Sequence, residues 1–464
     1  MKMAKQHNSK IDMTTGPIMS KVLLFAIPLI LGSVLQQLYT SVDTLVIGQY
    51  CESTALAAVG TSSQPVEVLL CIFLGIGGGL SILVSQHAGA GNYEGLRKFC
   101  ACAVSFVYMA GLALTVLGYF GAPLILRFMA VPEDTWNEAL IYTRIVLFGT
   151  LGNIGYNLNA GVLRGLGDSR ASLWFLVVSC VTNIILDYVF VAGVKTGVGG
   201  AALATSIAMM VSWIISIFYI KRRFPELGFT FFPRHIYGPE MKKMLSLGLP
   251  IGLNSSLYSF GHMALQSMVN AQGSVFMAAV SVGSRVTGLA NIAITALSQA
   301  SSAFSGQNYG ARKYGRLKKG HLIIPIVSGL VSLAFGIVFI LLRMPILRFF
   351  TKDTAVLPYA SRYIVIMLLS QWIFAVFNGI INFVNGLGKV KYTTIVNLLM
   401  LWAVRVPVAF VITRFFDGTY VMFAYTISFS FGAIAMFGYY IFSKGWKEIM
   451  RKADEPIPEE TGSP

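Results

Sequence analysis

Charge is scarce in this chain. Only 12% of its 464 residues are Asp, Glu, Lys or Arg, about half the ~25% of ordinary soluble domains. So few charges cannot cover a water-facing surface, and an unfolded chain would not be so apolar. The length alone would allow three soluble domains of about 150 residues; the composition excludes them. Acids are scarcer still, 19 against 35 Lys and Arg, for a net charge of +16. Cysteine is sparse too: Cys51, Cys71, Cys100, Cys102 and Cys180 lie in or beside apolar stretches, with no CxxC pair and no histidine partner. That argues against a disulfide frame or a thiolate metal centre and for packing roles.

Long apolar runs are abundant. Apolar residues make up 55% of the chain, and the mean hydropathy is +0.70. About twenty apolar residues cross ~30 Å of hydrocarbon as a helix. Reading between polar breaks predicts twelve spans: 20–48, 55–84, 98–120, 138–163, 170–192, 198–220, 242–270, 276–304, 320–342, 359–386, 391–413 and 418–443. The expected fold class is an all-α integral membrane protein. Residues 1–19 are polar with no small-residue cleavage site, so the first span is expected to stay as an anchor. Of the 35 Lys and Arg, 25 fall at the termini and the even-numbered breaks, among them Lys21, Arg97, Lys98, Lys221, Arg222, Arg234, Lys313, Lys389 and Lys444. The positive-inside rule then puts both termini in the cytoplasm, for a multi-pass protein of the inner (plasma) membrane. Scattered over separate loops, this basic excess is an orientation signal and gives no reason to expect a nucleic-acid partner.

The chain also repeats itself. Gly16-Pro17-Ile18-Met19 with Pro28 returns as Gly238-Pro239-Glu240-Met241 with Pro250; Ala57-Ala58-Val59 returns as Ala278-Ala279-Val280; Gly165-Leu166-Gly167 returns as Gly386-Leu387-Gly388. The loops after Gly89 and Gly306 are also alike, and the offset stays near 221–222. Six spans per half is an even number, so both halves enter with the same orientation, related by a pseudo-two-fold axis along the membrane normal. The organisation expected is a cytoplasmic segment 1–19, an N-lobe 20–220, a linker 221–241, a C-lobe 242–443 and a disordered cytoplasmic tail 444–464.

Apart from Glu138 at the very start of the fourth span, three acids lie within spans, Asp43, Glu67 and Asp187, all in the first half. Their repeat mates are Leu265, Gly288 and Val408, so the architecture itself does not demand carboxyls there. A carboxylate at membrane depth costs several kcal/mol unless paired or hydrated (about 3 kcal/mol on insertion scales), which points to function for Asp43 and Asp187. Glu67 sits nearer a helix end, within reach of headgroup water. Gln36, Tyr39 and Asp43 form one stripe of the first span, and Asn183 and Asp187 share a face of the fifth. With Thr205 on the sixth span and Asn159 on the fourth they offer carboxylate, amide and hydroxyl oxygens. Hard oxygen donors suit a proton or Na⁺ and fit transition metals poorly. Thr426 is the mate of Thr205, so helix packing is an equal reading for Thr205. Pro28 and Pro250 interrupt hydrogen-bond ladders and allow bending or a static kink. Gly75, Gly77, Gly78 and Gly79 lie inside an apolar span without a following Lys-Ser/Thr, which makes them a close-packing surface and no phosphate cradle. The second half offers His262, Arg285, Asn378, Asn382 and Arg405; Arg285 is the mate of Gln64 and a candidate for the cavity lining.

Taken together, Pro28 with Val42-Asp43-Thr44, Ala57-Ala58-Val59-Gly60, Arg164-Gly165-Leu166-Gly167-Asp168 and Asn183-Ile184-Ile185-Leu186-Asp187 resemble the multidrug and toxic compound extrusion (MATE) family from Gly16 to about Lys444. The resemblance implies twelve helices in two pseudo-symmetric six-helix lobes and export of cationic or amphiphilic compounds in exchange for H⁺ or Na⁺. It also implies a coupling-cation site, with Na⁺ as the one conceivable metal, at residues matching Asp43, Asn183, Asp187 and Thr205, and cavity positions matching Gln36 and Asn159. Spans 242–270 and 359–386 contain no acid, unlike the branch typified by NorM, so the likeness is to the DinF-like and MepA-like branches. The expected mechanism is two lobes rocking about a cavity, with cation binding that bends the first span at Pro28. Small organic cations and the bilayer are the expected partners of a monomer without cofactor. A lipid-linked oligosaccharide flippase, using Arg285 and Arg405, is the alternative. No His/Asp pair supports an enzyme, and duplicated lobes have no role in a receptor relay.

Overall fold

The computed structural model describes residues 11–51, 53–129, 131–232 and 235–455, and their side chains except at 53–57, 61, 63–65 and 68. Residues 1–10, Arg234, the end of the tail at 456–464 and the side chain of Gln64 lie outside the described residues. In hydrocarbon each unsatisfied backbone group is costly, and a helix satisfies its own. The described residues accordingly form helices and no strand. In chain order these are α1 (Ile18–Tyr50), α2 (Ser53–Gly89), α3 (Tyr93–Phe128), α4 (Trp136–Phe148), α5 (Thr150–Leu166), α6 (Ser169–Asp187), α7 (Val198–Arg223), α8 (Gly238–Asn270), α9 (Ser274–Gly310), α10 (Tyr314–Leu341), α11 (Arg343–Phe350), α12 (Val356–Gly386), α13 (Val390–Leu398), α14 (Val406–Phe415), α15 (Phe423–Phe442) and α16 (Lys444–Asp454).

The fold is an all-α integral membrane bundle. Ten of the described helices or helix pairs are long and apolar enough to cross a bilayer. The other two expected spans deviate for physical reasons. The fourth, 138–163, is broken at Gly149 into α4 and α5. A Cβ at Gly149 would overlap Ser206 of α7, whose hydroxyl donates to Ile145 O at the break (3.3 Å). The seventh, α8, is 33 residues long but rich in Ser and Asn. Its hydroxyls turn back on the helix, Ser255 to Ile251 O (3.1 Å) and Ser256 to Gly252 O (3.3 Å), so they bring no unsatisfied donor into an apolar setting.

The chain forms two compact units. The first holds Ile11 and Leu24–Ser259; the second holds Asp12–Leu23 and the chain from Phe260 onward. The core of the first gathers Leu80, Leu83, Phe99, Leu158, Val162 and Trp213, and that of the second Leu265, Ile364, Leu368 and Ala409. Within the first unit the glycines of α2 are a packing surface. Gly75 and Gly79 face Gly252 and Gly248 of α8, and a Cβ on Gly79 would stand 2.5 Å from Gly248 N. Small residues four apart let two backbones touch, the usual device where lipid supplies no hydrophobic drive between helices. The motif Arg164-Gly165-Leu166-Gly167-Asp168 is likewise structural. Gly167 ends α5 at φ 93°, and Asp168 caps α6 by accepting from Ala171 N.

Two features were not foreseen. The fifth span of each repeat contains a π-helical stretch, Tyr188–Gly193 after α6 and Leu399–Arg405 between α13 and α14. The expected disorder of 444–464 fails over its first half: Lys444–Asp454 is a helix, α16. Composition suggested solvation, but Trp446 and Ile449 are one turn apart and both buried, and Ser443 caps the helix by accepting from Trp446 N (3.3 Å).

Because the glycine contact is backbone against backbone, Gly79→Val should cost about 1–3 kcal/mol and lower the thermal midpoint in detergent, whereas Gly60→Ala, with nothing within 4 Å of its Cβ, should leave it unchanged.

Candidate cation site in the first unit

The site is assembled from three helices. α1 carries Tyr39 and Asp43 one turn apart, α6 ends on Asn183 and Asp187, and α7 contributes Thr205. Asn183 and Asp187 are both 0% exposed. Thr205 Oγ1 is a shared acceptor, taking hydrogen bonds from Tyr39 OH (3.2 Å) and Asn183 Nδ2 (3.3 Å). The Asp43 and Asp187 carboxyls face each other within hydrogen-bonding reach. With both as carboxylates, three of their four oxygens lack a donor: Asp43 Oδ1 and both Asp187 oxygens are buried without a hydrogen-bond partner, as is Asn183 Oδ1. A carboxylate only accepts, so the pair is complete only when a proton or a cation lies between the oxygens.

The surroundings are apolar. Val46, Ile47, Val191, Val198 and Ala201 form a buried cluster, with Val42 and Tyr142 packed on it. Low polarity strengthens repulsion between two like charges and so favours taking up a positive charge. Asp187 is also the last residue before the π-helical stretch Tyr188–Gly193, the kind of local ladder change often found at functional positions. Tyr142 of α4 lies within electrostatic reach of both carboxyls. Sequence reasoning missed it, since a single Tyr in an apolar run carries no periodic signal.

The other candidates are more dispersed. Gln36 is on α1 with an exposed side chain, Glu67 is exposed on α2, and Pro28 is buried inside a helix assigned continuously from Ile18 to Tyr50. Asn159 is buried and donates to Ser216 Oγ (2.7 Å), a contact between α5 and α7. Arg285 belongs to α9 of the second unit and is exposed. Asn378 and Asn382 donate to carbonyls one turn back, Phe374 O and Asn378 O, which is helix-internal bonding. Arg405, at the end of the second π-helical stretch, is fully buried, donates to Ser428 Oγ (2.9 Å) and lies over Tyr425 and Phe429. The described residues include no cluster of three or more His, Cys, Asp or Glu able to hold a metal.

The sequence profile of the MatE family matches the chain twice, over residues 28–189 and 250–411. The chain belongs to the MatE family. The two matches are displaced by 222 residues at either end, which is the internal duplication. Among the relatives of this MatE chain, the probable multidrug resistance protein YoeA of Bacillus subtilis (strain 168) is 30% identical over 442 residues, 92% of this chain and 94% of YoeA. The probable multidrug resistance protein YpnP of the same organism is 26% identical over 444 residues, 94% of this chain and 98% of YpnP. The fold is similar, at TM-score 0.88 and 21% identity, to an outward-facing multidrug resistance MATE family transporter of the MOP superfamily, covering 98% of this chain and 100% of that one. By family the MatE chain is therefore a multi-pass membrane transporter, and its fold is that of the MATE structures.

Thr205→Val removes the shared acceptor and strands the Asn183 amide in a buried place, which should cost about 1–3 kcal/mol; Thr205→Ser should retain most of the stability, as read by thermal unfolding in detergent.

Proposed function

We propose that this transporter exports cationic or amphiphilic small molecules across the plasma membrane in exchange for H⁺ or Na⁺ bound between Asp43 and Asp187. The observation that carries the reading is the set of buried, donorless oxygens on Asp43, Asp187 and Asn183. In an acid-poor bundle such a set is expensive unless a positive charge occupies it during the working cycle. The multidrug resistance names of YoeA and YpnP support the substrate class, and they lend nothing to a lipid-linked oligosaccharide flippase.

On this reading Asp43 and Asp187 hold the proton or Na⁺, the Asn183 side-chain oxygen is a further donor to Na⁺, and Thr205 fixes Asn183 and Tyr39 around them. A cation can drive export only if it binds the two access states with different affinity. Binding pulls the carboxyl of α1 toward that of α6, and Pro28 gives α1 a place to yield, because its missing N–H leaves one ladder bond unmade. A drug leaving as the cation binds completes the exchange between two states of opposite access. A monomer with cytoplasmic termini remains our reading of the basic-loop asymmetry and the single-chain duplication.

Efflux of a fluorescent organic cation from proteoliposomes, under separately imposed proton and sodium gradients, tests this. Asp43→Asn and Asp187→Asn should each lower gradient-driven efflux by tenfold or more, roughly the loss of one charge-assisted interaction. Undiminished, still gradient-dependent transport in both variants would refute the assignment.

A further inference from the structure

The second unit contains a cavity that the transport reading does not use. It lies where α9, α12 and α15 end and where α10, α13 and α16 begin, and its volume is ≈ 110 Å³. A liquid water takes about 30 Å³, so the space accommodates a group the size of phosphate. Its polar lining is Lys389, Lys452, Glu448, Tyr309, Tyr314 and Tyr439.

The field there is positive for two independent reasons. Tyr314 is the first residue of α10, Lys389 is the N-cap of α13 and Gly445 lies in the first turn of α16, so three helix N-termini converge on one cavity. Neither α10 nor α13 has a side-chain cap, and the partial positive charge of such ends favours an anion. Two lysines add full charges against a single carboxylate. Lys452 Nζ is 2.6 Å from Glu448 Oε1 and lies over the Tyr314 ring, while Lys389 is exposed at the rim. A further sign is Tyr439, 6% exposed, whose hydroxyl makes no hydrogen bond by distance and angle although Ser443 is beside it.

The scaffold that makes the cavity is well anchored. α16 is held by Lys318 to Asp454 (2.5 Å) and by Trp446 against His321 and Tyr440, with ring centroids 4.8 and 4.9 Å away. This anchoring keeps Glu448, Ile449 and Lys452 facing the ends of α9 and α12. The residues lie at or just past the ends of apolar spans, the part of a membrane protein where Lys and Tyr characteristically meet lipid phosphates.

We propose that this cavity binds a phosphate group, either the headgroup phosphate of an anionic lipid or free inorganic phosphate. Lys389 and Lys452 supply the charge, the α10 and α13 N-termini add partial positive charge, and the Tyr439 hydroxyl supplies a donor. Glu448 holds Lys452 when no ligand is bound and competes with an entering anion. Lys389 and Glu448 therefore have opposite roles, which a purely structural salt-bridge site would not show.

The test uses the full-length protein, delipidated in neutral detergent, with thermal unfolding as the readout. One arm titrates inorganic phosphate against chloride at constant ionic strength; the other titrates phosphatidylglycerol against phosphatidylcholine. Saturable stabilisation in either arm is expected, and the arm that responds identifies the source of the phosphate. Lys389→Gln should weaken the apparent affinity by roughly tenfold or more, Glu448→Gln should strengthen it, and Lys447→Gln, an exposed charge outside the cavity lining, should leave it unchanged. Absence of stabilisation in both arms overturns the proposal. So does a Lys389→Gln response equal to that of the unmodified protein, or a loss of affinity in Glu448→Gln.

Discussion

Within a bilayer a polar group without a partner has no water to fall back on, and this constraint organises the whole protein. It makes the backbone helical almost without interruption, and it makes each departure from helix local and repaired. The break between α4 and α5 is covered by Ser206. The serines of α8 spend their hydroxyls on the preceding turn. Other buried polar atoms also lack a partner, single hydroxyls for the most part, but Asp43, Asp187 and Asn183 are distinguished by bringing several donorless oxygens, two of them from facing carboxyls, to one place.

The two repeats share a backbone plan and differ in charge. Each contains a π-helical stretch in its fifth span, flanked by Asp187 in the first and ending on Arg405 in the second. Asp187 lies with a second carboxyl, while Arg405 lies over two aromatic rings with Ser428 as an acceptor. A duplicated gene product thus keeps its packing and lets its buried ionisable groups diverge. Glycine positions illustrate the part that stays fixed: Gly167 and Gly388 both take left-handed φ, 93° and 80°, because each ends a helix where a side chain would be strained.

The terminal helix α16 belongs to the same logic on the water side. Its polar residues look solvated when counted, yet one turn of spacing between Trp446 and Ile449 suffices to dock it on α10 and α15. Docking turns a run of charges into a wall of a cavity and arranges Lys452 and Glu448 on one side of it.

Periodicity and repetition determined the helical class, most of the spans, the duplication and the pairing of Asn183 with Asp187 on one face, because spacing along one helix fixes which side chains share a face. Thr205 entered the cation set only through the family resemblance. The sequence could not place Tyr142 beside the pair, send Asn159 to Ser216, or break the fourth span at Gly149, since each depends on a neighbouring helix. Nor could it separate the polar residues that finish one another from those left open. Only tertiary structure decides that, because a hydrogen bond between helices is set by distance and angle in space, and these have no trace in the order of residues along the chain.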